Sequence, residues 1–322
     1  MPRSSKLEDA LDRLARVRQD PSSHESLTEL RAALAARSPH LAAKAATIVG
    51  ELQIDALSPD LVAAFERFLV NPSKSDPGCA AKTAIVDALQ RLSAPEPSVY
   101  LRGIRAVQME PAWGGQVDTA VALRGVSAFG LVSMGYPYAL TPLAELLADP
   151  DARARAAAAR ALAHSEDAAA VPVLRLKALI GDEDAEVHSE CLSALLSIDP
   201  TESIAFVGRL LDSPTEQARE LAALALGGSR RKEAFPVLRQ WWESRKDDSS
   251  RRTALLAIAM LKREEALDFL LDLVAAAPGP TARLAIAALA FHRYDDVLVQ
   301  RVKDAAVRDD ADLSKALADE FG

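Results

Sequence analysis

Along most of this chain, a small apolar residue followed by a larger one returns on one face of a helical projection. The pair occurs at Ala128-Phe129, Ala161-Leu162, Ala194-Leu195, Ala225-Leu226, Ala257-Ile258 and Ala288-Leu289, in steps of 33, 33, 31, 32 and 31 residues by subtraction. A second landmark shares the displacement: AVPVL at 170–174 returns as AFPVL at 234–238, 64 residues on, the same distance as from Ala161 to Ala225. Periods of this size mean stacked units. Residues 149–182 give the unit in full, as one helix, a short turn and a second helix.

Proline placement agrees with this division. Pro172 and Pro236 fall in the first turn of the second helix, where a missing backbone N–H has no intrahelical acceptor to lose, and Pro142 repeats the device one unit earlier. Asp149-Pro150, Asp199-Pro200 and Ser213-Pro214 supply residues that stop one helix and cap the next. The pattern predicts one continuous array. Residues 1–37 form amino-terminal capping helices with an apolar stripe at Leu7, Leu11, Leu14 and Val17, and 38–107 form irregular repeats. Residues 108–118 are an inserted Trp-Gly-Gly loop, 119–310 regular repeats and 311–322 a carboxy-terminal cap. The polar stretch 71–78 reads as a surface loop, and after it Lys82 with Ala88-Leu89 repeats the spacing of Arg155 with Ala161-Leu162.

These features resemble the HEAT repeat family, and more closely its short bacterial form, the phycobilin lyase-type repeats. The residues that carry the resemblance are Asp-Pro in the turn between units, an Arg on the first helix (Arg155, Arg219, Arg251), the small-plus-large pair, and Pro-Val-Leu on the second helix. His188 stands where one unit should have that Arg, so an Asp–Arg ladder of the family type is interrupted there. The resemblance covers 136–310 and implies an all-α fold, an α-solenoid (superhelix) of about eight HEAT-like helix pairs.

Composition fits thin layers better than a large core: 322 residues, 49% hydrophobic but 5% aromatic, with Ala runs such as 156–159. No run of about 18 apolar residues predicts a membrane span, and the first twenty residues lack the apolar core of a signal peptide. Cys79 and Cys191 match no metal or redox spacing and read as buried small side chains, which points to a reducing, cytoplasmic setting. A formal charge of -8 argues against coating nucleic acid.

Two stretches are candidate contact sites. The first is the insert QMEPAWGGQVDTA at 108–120, where the step from Ala88-Leu89 to Ala128-Phe129 lengthens to 40. Irregular ordered loops on a rigid scaffold often carry function. In one reading Trp113 and Glu110, with Tyr100, Arg102 and Arg105, form a partner-binding spot. In the other, Trp113 plugs a seam between imperfectly stacked layers, with Asp118 as a helix cap.

The second stretch lies between Arg230 and Arg263, where ten basic and four acidic residues leave a local charge of +6. Phe235, Leu238 and Trp242 share an apolar face there, which leaves Trp241 and Arg245 more exposed, with Arg239 beside them. Such a patch suits an acidic protein segment, nucleic-acid phosphates with Trp241 stacking on a base, or a solvated edge that offsets acidic neighbours.

Signs of catalysis are absent from the sequence. The five His residues do not pair at metal-ligand intervals, the acidic turn at 181–186 reads as a helix start, and Gly227-Gly228 reads as a helix terminator. No catalytic, metal or cofactor set is expected. The function implied is a non-catalytic scaffold or adaptor that binds a protein partner along the concave face formed by second helices. Resemblance leaves two alternatives: a nucleic-acid-binding protein related to the DNA alkylpurine glycosylases, or a phycobilin lyase-like chaperone or lyase subunit.

Overall fold

The computed structural model describes residues 2–307 and 310–322, with side chains from residue 8 onward. Leu7 of the amino-terminal stripe therefore lies outside the described side chains. Leu14 and Val17 of the same stripe are buried. The described residues form an all-α solenoid interrupted by one two-stranded hairpin.

The chain divides into two compact units, Met1–Ser165 and Glu166–Gly322. The first holds α1 (Pro2–Arg16), α2 (His24–Ala35), α3 (Pro39–Glu51), α4 (Ser58–Leu69), α5 (Pro72–Ser75), α6 (Ala80–Arg91) and α7 (Pro97–Gly103). The hairpin strands β1 (Met109–Ala112) and β2 (Gly115–Asp118) follow, then α8 (Val121–Ser133), α9 (Leu140–Leu146) and α10 (Ala152–Ser165). The second unit holds α11 (Val171–Ile180), α12 (Ala185–Ile198), α13 (Pro200–Leu210), α14 (Glu216–Gly228) and α15 (Ala234–Ser244). It continues through α16 (Asp248–Met260), α17 (Glu264–Ala276), α18 (Gly279–Leu289), α19 (Asp296–Ala305) and α20 (Ala311–Phe321).

In the first unit α3, α6, α8 and α10 stack in file; in the second α12, α14, α16, α18 and α20 do the same. Each of α7, α9, α13, α15 and α17 packs on the stacked helix that follows it. The stacked helices come close because their contact positions are small. In α10, Ala154, the run Ala156 to Ala159, and Ala161 are all buried, so the helix is covered on most sides at little cost in side-chain entropy.

Gly227 takes this to its limit: a Cβ there would lie 2.4 Å from the backbone oxygen of Ala257 on α16. The α14 helix ends at this glycine pair, at Gly228, as the sequence suggests, but the residue type at 227 is set by the approach of the neighbouring backbone.

Two of the turns between repeats share a construction, while Arg251 of the expected ladder donates instead to the Thr281 hydroxyl at 3.2 Å. Arg155 donates through Nη1 to the carbonyl oxygens of Asp149 (2.9 Å) and Pro150 (3.0 Å), and Arg219 does so to Ser213 (2.9 Å) and Pro214 (3.2 Å). At His188 the ladder is rebuilt differently. Its Nε2 is buried without a hydrogen-bond partner, burial lowers its pKa, and Lys177 on α11 pairs with Asp182 at 2.7 Å instead. The acidic turn at 181–186 ends in a helix cap, with Asp184 accepting from the Glu186 N–H at 2.9 Å.

Candidate functional site

The insert at 108–118 is a β-hairpin, where the sequence suggested an irregular loop. Its register pairs Met109 with Asp118, Glu110 with Val117, Pro111 with Gln116 and Ala112 with Gly115, leaving Trp113 and Gly114 as a two-residue turn. Gly114 has φ +93°, a conformation that L side chains rarely adopt, so the Trp-Gly-Gly sequence is what lets the chain reverse here. Pro111 is tolerated because a two-stranded ribbon is all edge.

Three side chains fasten the ribbon to the first unit. The Glu110 carboxylate accepts the Gly78 N–H with both oxygens, at 2.9 and 3.0 Å. Gln108, itself buried, donates through Nε2 to the Asp76 carbonyl at 2.9 Å and to Glu110. Asp118 accepts from the backbone N–H of Gln108 (3.0 Å) and Ala120 (2.9 Å), and from Arg124 (2.6 Å). Arg124 reaches on to Asp149 at 2.8 Å. Asp118 thus clamps the base of the hairpin and closes the turn before α8, whose own N-cap, Ala120, makes no side-chain cap.

The turn that receives Glu110 and Gln108 is itself held from below. Asp76 accepts the N–H groups of Ala81 and Lys82, each at 2.9 Å, and the Lys82 ammonium at 3.0 Å. Both side chains of this ion pair are sealed from solvent. Sequence reasoning had placed Lys82 at the position of Arg155 but missed its partner. The signal was there: Asp76-Pro77 precedes Lys82 by the same interval as Asp149-Pro150 precedes Arg155.

Electrostatics hold the carboxylates charged. Hydrogen bonds from Gln108 and Gly78 keep Glu110 below its ordinary range. Burial works against the Asp118 charge, but its two backbone donors and Arg124 outweigh that and hold it low as well.

What this anchored ribbon presents is Trp113. Its relative exposure is 105%, so it plugs no seam. The reason is geometric: a two-residue turn at the end of four-residue strands carries the indole away from every helix. Val107, Met109 and Val117 are also exposed nearby in sequence.

The other residues expected beside it are dispersed. Tyr100 is 0% exposed and bonds the Ala94 carbonyl at 3.2 Å; it is a core residue of α7 and takes no part in a surface spot. Arg102 pairs with Glu66 on α4, and Arg105 lies 3.9 Å from Glu145 on α9. Both arginines are exposed.

On α15 the expected division of the two tryptophans is corrected. Trp241 is only 4% exposed and Trp242 is half-buried, because α15 touches neighbours on both sides. Trp242 meets Phe269 of α17 edge-on at 5.4 Å, whereas Trp241 lines a cleft against α13. Arg245 lies over the Trp241 ring at 5.9 Å and pairs with Asp212; Arg239 pairs with Glu243 at 2.9 Å and lies over Phe269 at 5.1 Å. A buried Trp241 ring offers no platform for a base to stack on.

Among the described residues no group of three or more His, Cys, Asp or Glu is placed to hold a metal ion, and no helix is long and apolar enough to cross a membrane.

Among solved structures, the chain is similar to the complex of CpcE and CpcF of phycocyanin lyase from Nostoc sp. PCC7120, at 19% identity over 91% of this chain and 94% of that chain, with a TM-score of 0.37. It is also similar to an engineered protein at 17% identity, over 98% of this chain and 94% of that one, with a TM-score of 0.39. No curated protein matches by sequence. HEAT repeats match at residues 116–195, 143–218 and 205–290, which together run from 116 to 290. With more than half of its 322 residues inside those segments, the chain belongs to the HEAT-repeat family.

Proposed function

We propose that this protein is a non-catalytic scaffold that docks a protein partner through the 109–118 hairpin, with Trp113 as the anchoring side chain. The observation that carries the reading is the combination of a fully solvated indole with a rigid mount. Leaving a Trp in water forgoes the large apolar burial that residue normally supplies, and Trp is over-represented among the few residues that dominate protein interfaces. A rigid mount adds to this, because the side chain is presented with little left to order on binding.

Repeat layers supply the support. Glu110 and Gln108 reach the turn that begins α6, and Asp118 reaches α8 through Arg124, so the ribbon stands on two stacked helices of the first unit. The two free, buried thiols support a cytoplasmic setting.

The test is quantitative capture from the native cell extract with the wild-type chain and with Trp113→Ala, alongside the unfolding midpoint of each. A defined protein enriched by the wild type and lost from the variant, at equal midpoints, supports the reading. The same captured set from both chains overturns it.

A further inference from the structure

We infer that the cleft between the α11–α12 turn and the α13–α14 turn is a second docking site, one that takes a basic segment of a partner protein through a large apolar side chain flanked by Lys or Arg. It lies in the second unit and does not depend on the hairpin reading. The cleft encloses about 520 Å³, within the roughly 300–1,000 Å³ of ligand sites, and its apolar lining is Leu179, Ile180, Leu210, Pro214, Ala218 and Leu221.

Apolar surface is left open here. Leu179 and Ile180 line the cleft yet are 66% and 73% exposed, and Leu176, one turn back on the same face of α11, is 58% exposed. Single exposed apolar residues are ordinary, but three in a row on one helix face at the mouth of a cavity mark a contact surface. The α11 helix stops directly after them, at Gly181 with φ +81°, so no later turn of it covers them. His188 also lines the cleft. Arg155 and Arg219 each fill their own turn by reaching two carbonyls, whereas the shorter side chain at 188 finds no partner for its Nε2.

Charge selects the partner. Residues 181–190 carry five carboxylates with no Lys or Arg, and 212–220 carry three with one Arg, a balance of -7. Lys177, paired with Asp182 at 2.7 Å, and Arg245, paired with Asp212, bring it to -5. Other bases nearby are turned elsewhere. Arg219 donates to the Ser213 and Pro214 carbonyls, and Arg175 and Arg209 lie over the Phe206 ring at 5.2 and 5.6 Å. Such a field draws in Lys and Arg and speeds encounter with a basic partner.

An anionic ligand is disfavoured on two counts. The N–H groups that open α12 and α14 already have their caps, from Asp184 at 2.9 Å and Thr215 at 3.4 Å. The same carboxylates repel nucleic-acid phosphates and an anionic lipid surface.

The full chain is titrated with a fluorescein-labelled dodecamer of alternating lysine and leucine pairs, and binding is followed by anisotropy at low and at high salt. Saturable binding that weakens with salt is expected. Ile180→Ser should weaken it about tenfold, the loss of one apolar side chain from the contact. Val297→Ser, the same kind of change at another residue that is 73% exposed, should leave it unaltered. Binding that survives replacement of the peptide's leucines by serine, that is matched by a peptide with glutamate in place of lysine, or that ignores Ile180→Ser overturns the inference. A chain that sediments as a dimer, and as a monomer once Ile180→Ser is made, would assign the cleft to a second copy and overturns it as well.

Discussion

The ammonium of Lys82 lies 3.0 Å from the Asp76 carboxylate in a pocket that water does not reach, and that carboxylate also accepts the N–H groups that open α6. The carbonyl of the same Asp76 receives Gln108, so the hairpin's footing and the start of a stacked helix share one residue. Lys82→Met leaves the Asp76 charge buried and unpaired, and should cost about 3–5 kcal/mol in urea unfolding. A loss below about 1 kcal/mol would mean that the pair is not sealed as described.

Two adjacent glycines give a sharper contrast. Gly227→Ala drives a methyl group against the α16 backbone at Ala257 and should destabilise by about 1–3 kcal/mol. Gly228→Ala meets nothing nearer than Met260 Cε at 3.9 Å and should be neutral or stabilise by about 0.5 kcal/mol, through reduced freedom of the unfolded chain. Equal effects from the two substitutions would refute the close approach of α14 and α16.

Repetition was legible from Ala-plus-large pairs because stacking makes the same demand on every layer. The hairpin was not legible. Its strands are four residues long, carry a Pro and show no apolar alternation, since neither face packs on a core. Glu110 could not be placed from sequence because its partner, the Gly78 N–H, lies 32 residues away. Periodicity on α15 singled out Trp242 but treated the opposite side as solvent, whereas α13 lies there and covers Trp241. Tyr100 was misplaced for a simpler reason: nearness to the insert in sequence does not say which way a ring on α7 points, and this one points inward, where its hydroxyl donates to the Ala94 carbonyl.

Acid should loosen the hairpin before the helices. Glu110 and Asp118 have folded-state pKa values below their ordinary ones. The stability they contribute is therefore fully present above about pH 5 and is lost as pH falls through the depressed values. Amide exchange followed by mass spectrometry, corrected for intrinsic rates, should show residues 109–118 losing protection below that range while α8 and α10 keep theirs. Glu110→Gln should show weakened hairpin protection already at neutral pH. Uniform loss across the first unit would contradict this assignment.

Each unit contains one cysteine, and both are chemically silent in the fold. Burial pushes the Cys79 thiol up to about 11 and the Cys191 thiol up to about 12, and neither is exposed. Iodoacetamide at neutral pH should label neither in the native protein, and each only as the helices that bury it open under denaturant. Rapid labelling of Cys79 in the native protein would mean that the turn under the hairpin is open.

The proposed anchoring role of Trp113 is tested most directly by placing a photoactivatable phenylalanine analogue at position 113 in living cells, with the same analogue at exposed Tyr138 as the control. The account predicts one discrete adduct to a single protein from position 113 and none of that species from position 138. Identical adduct patterns from both positions, or none from position 113, would contradict it.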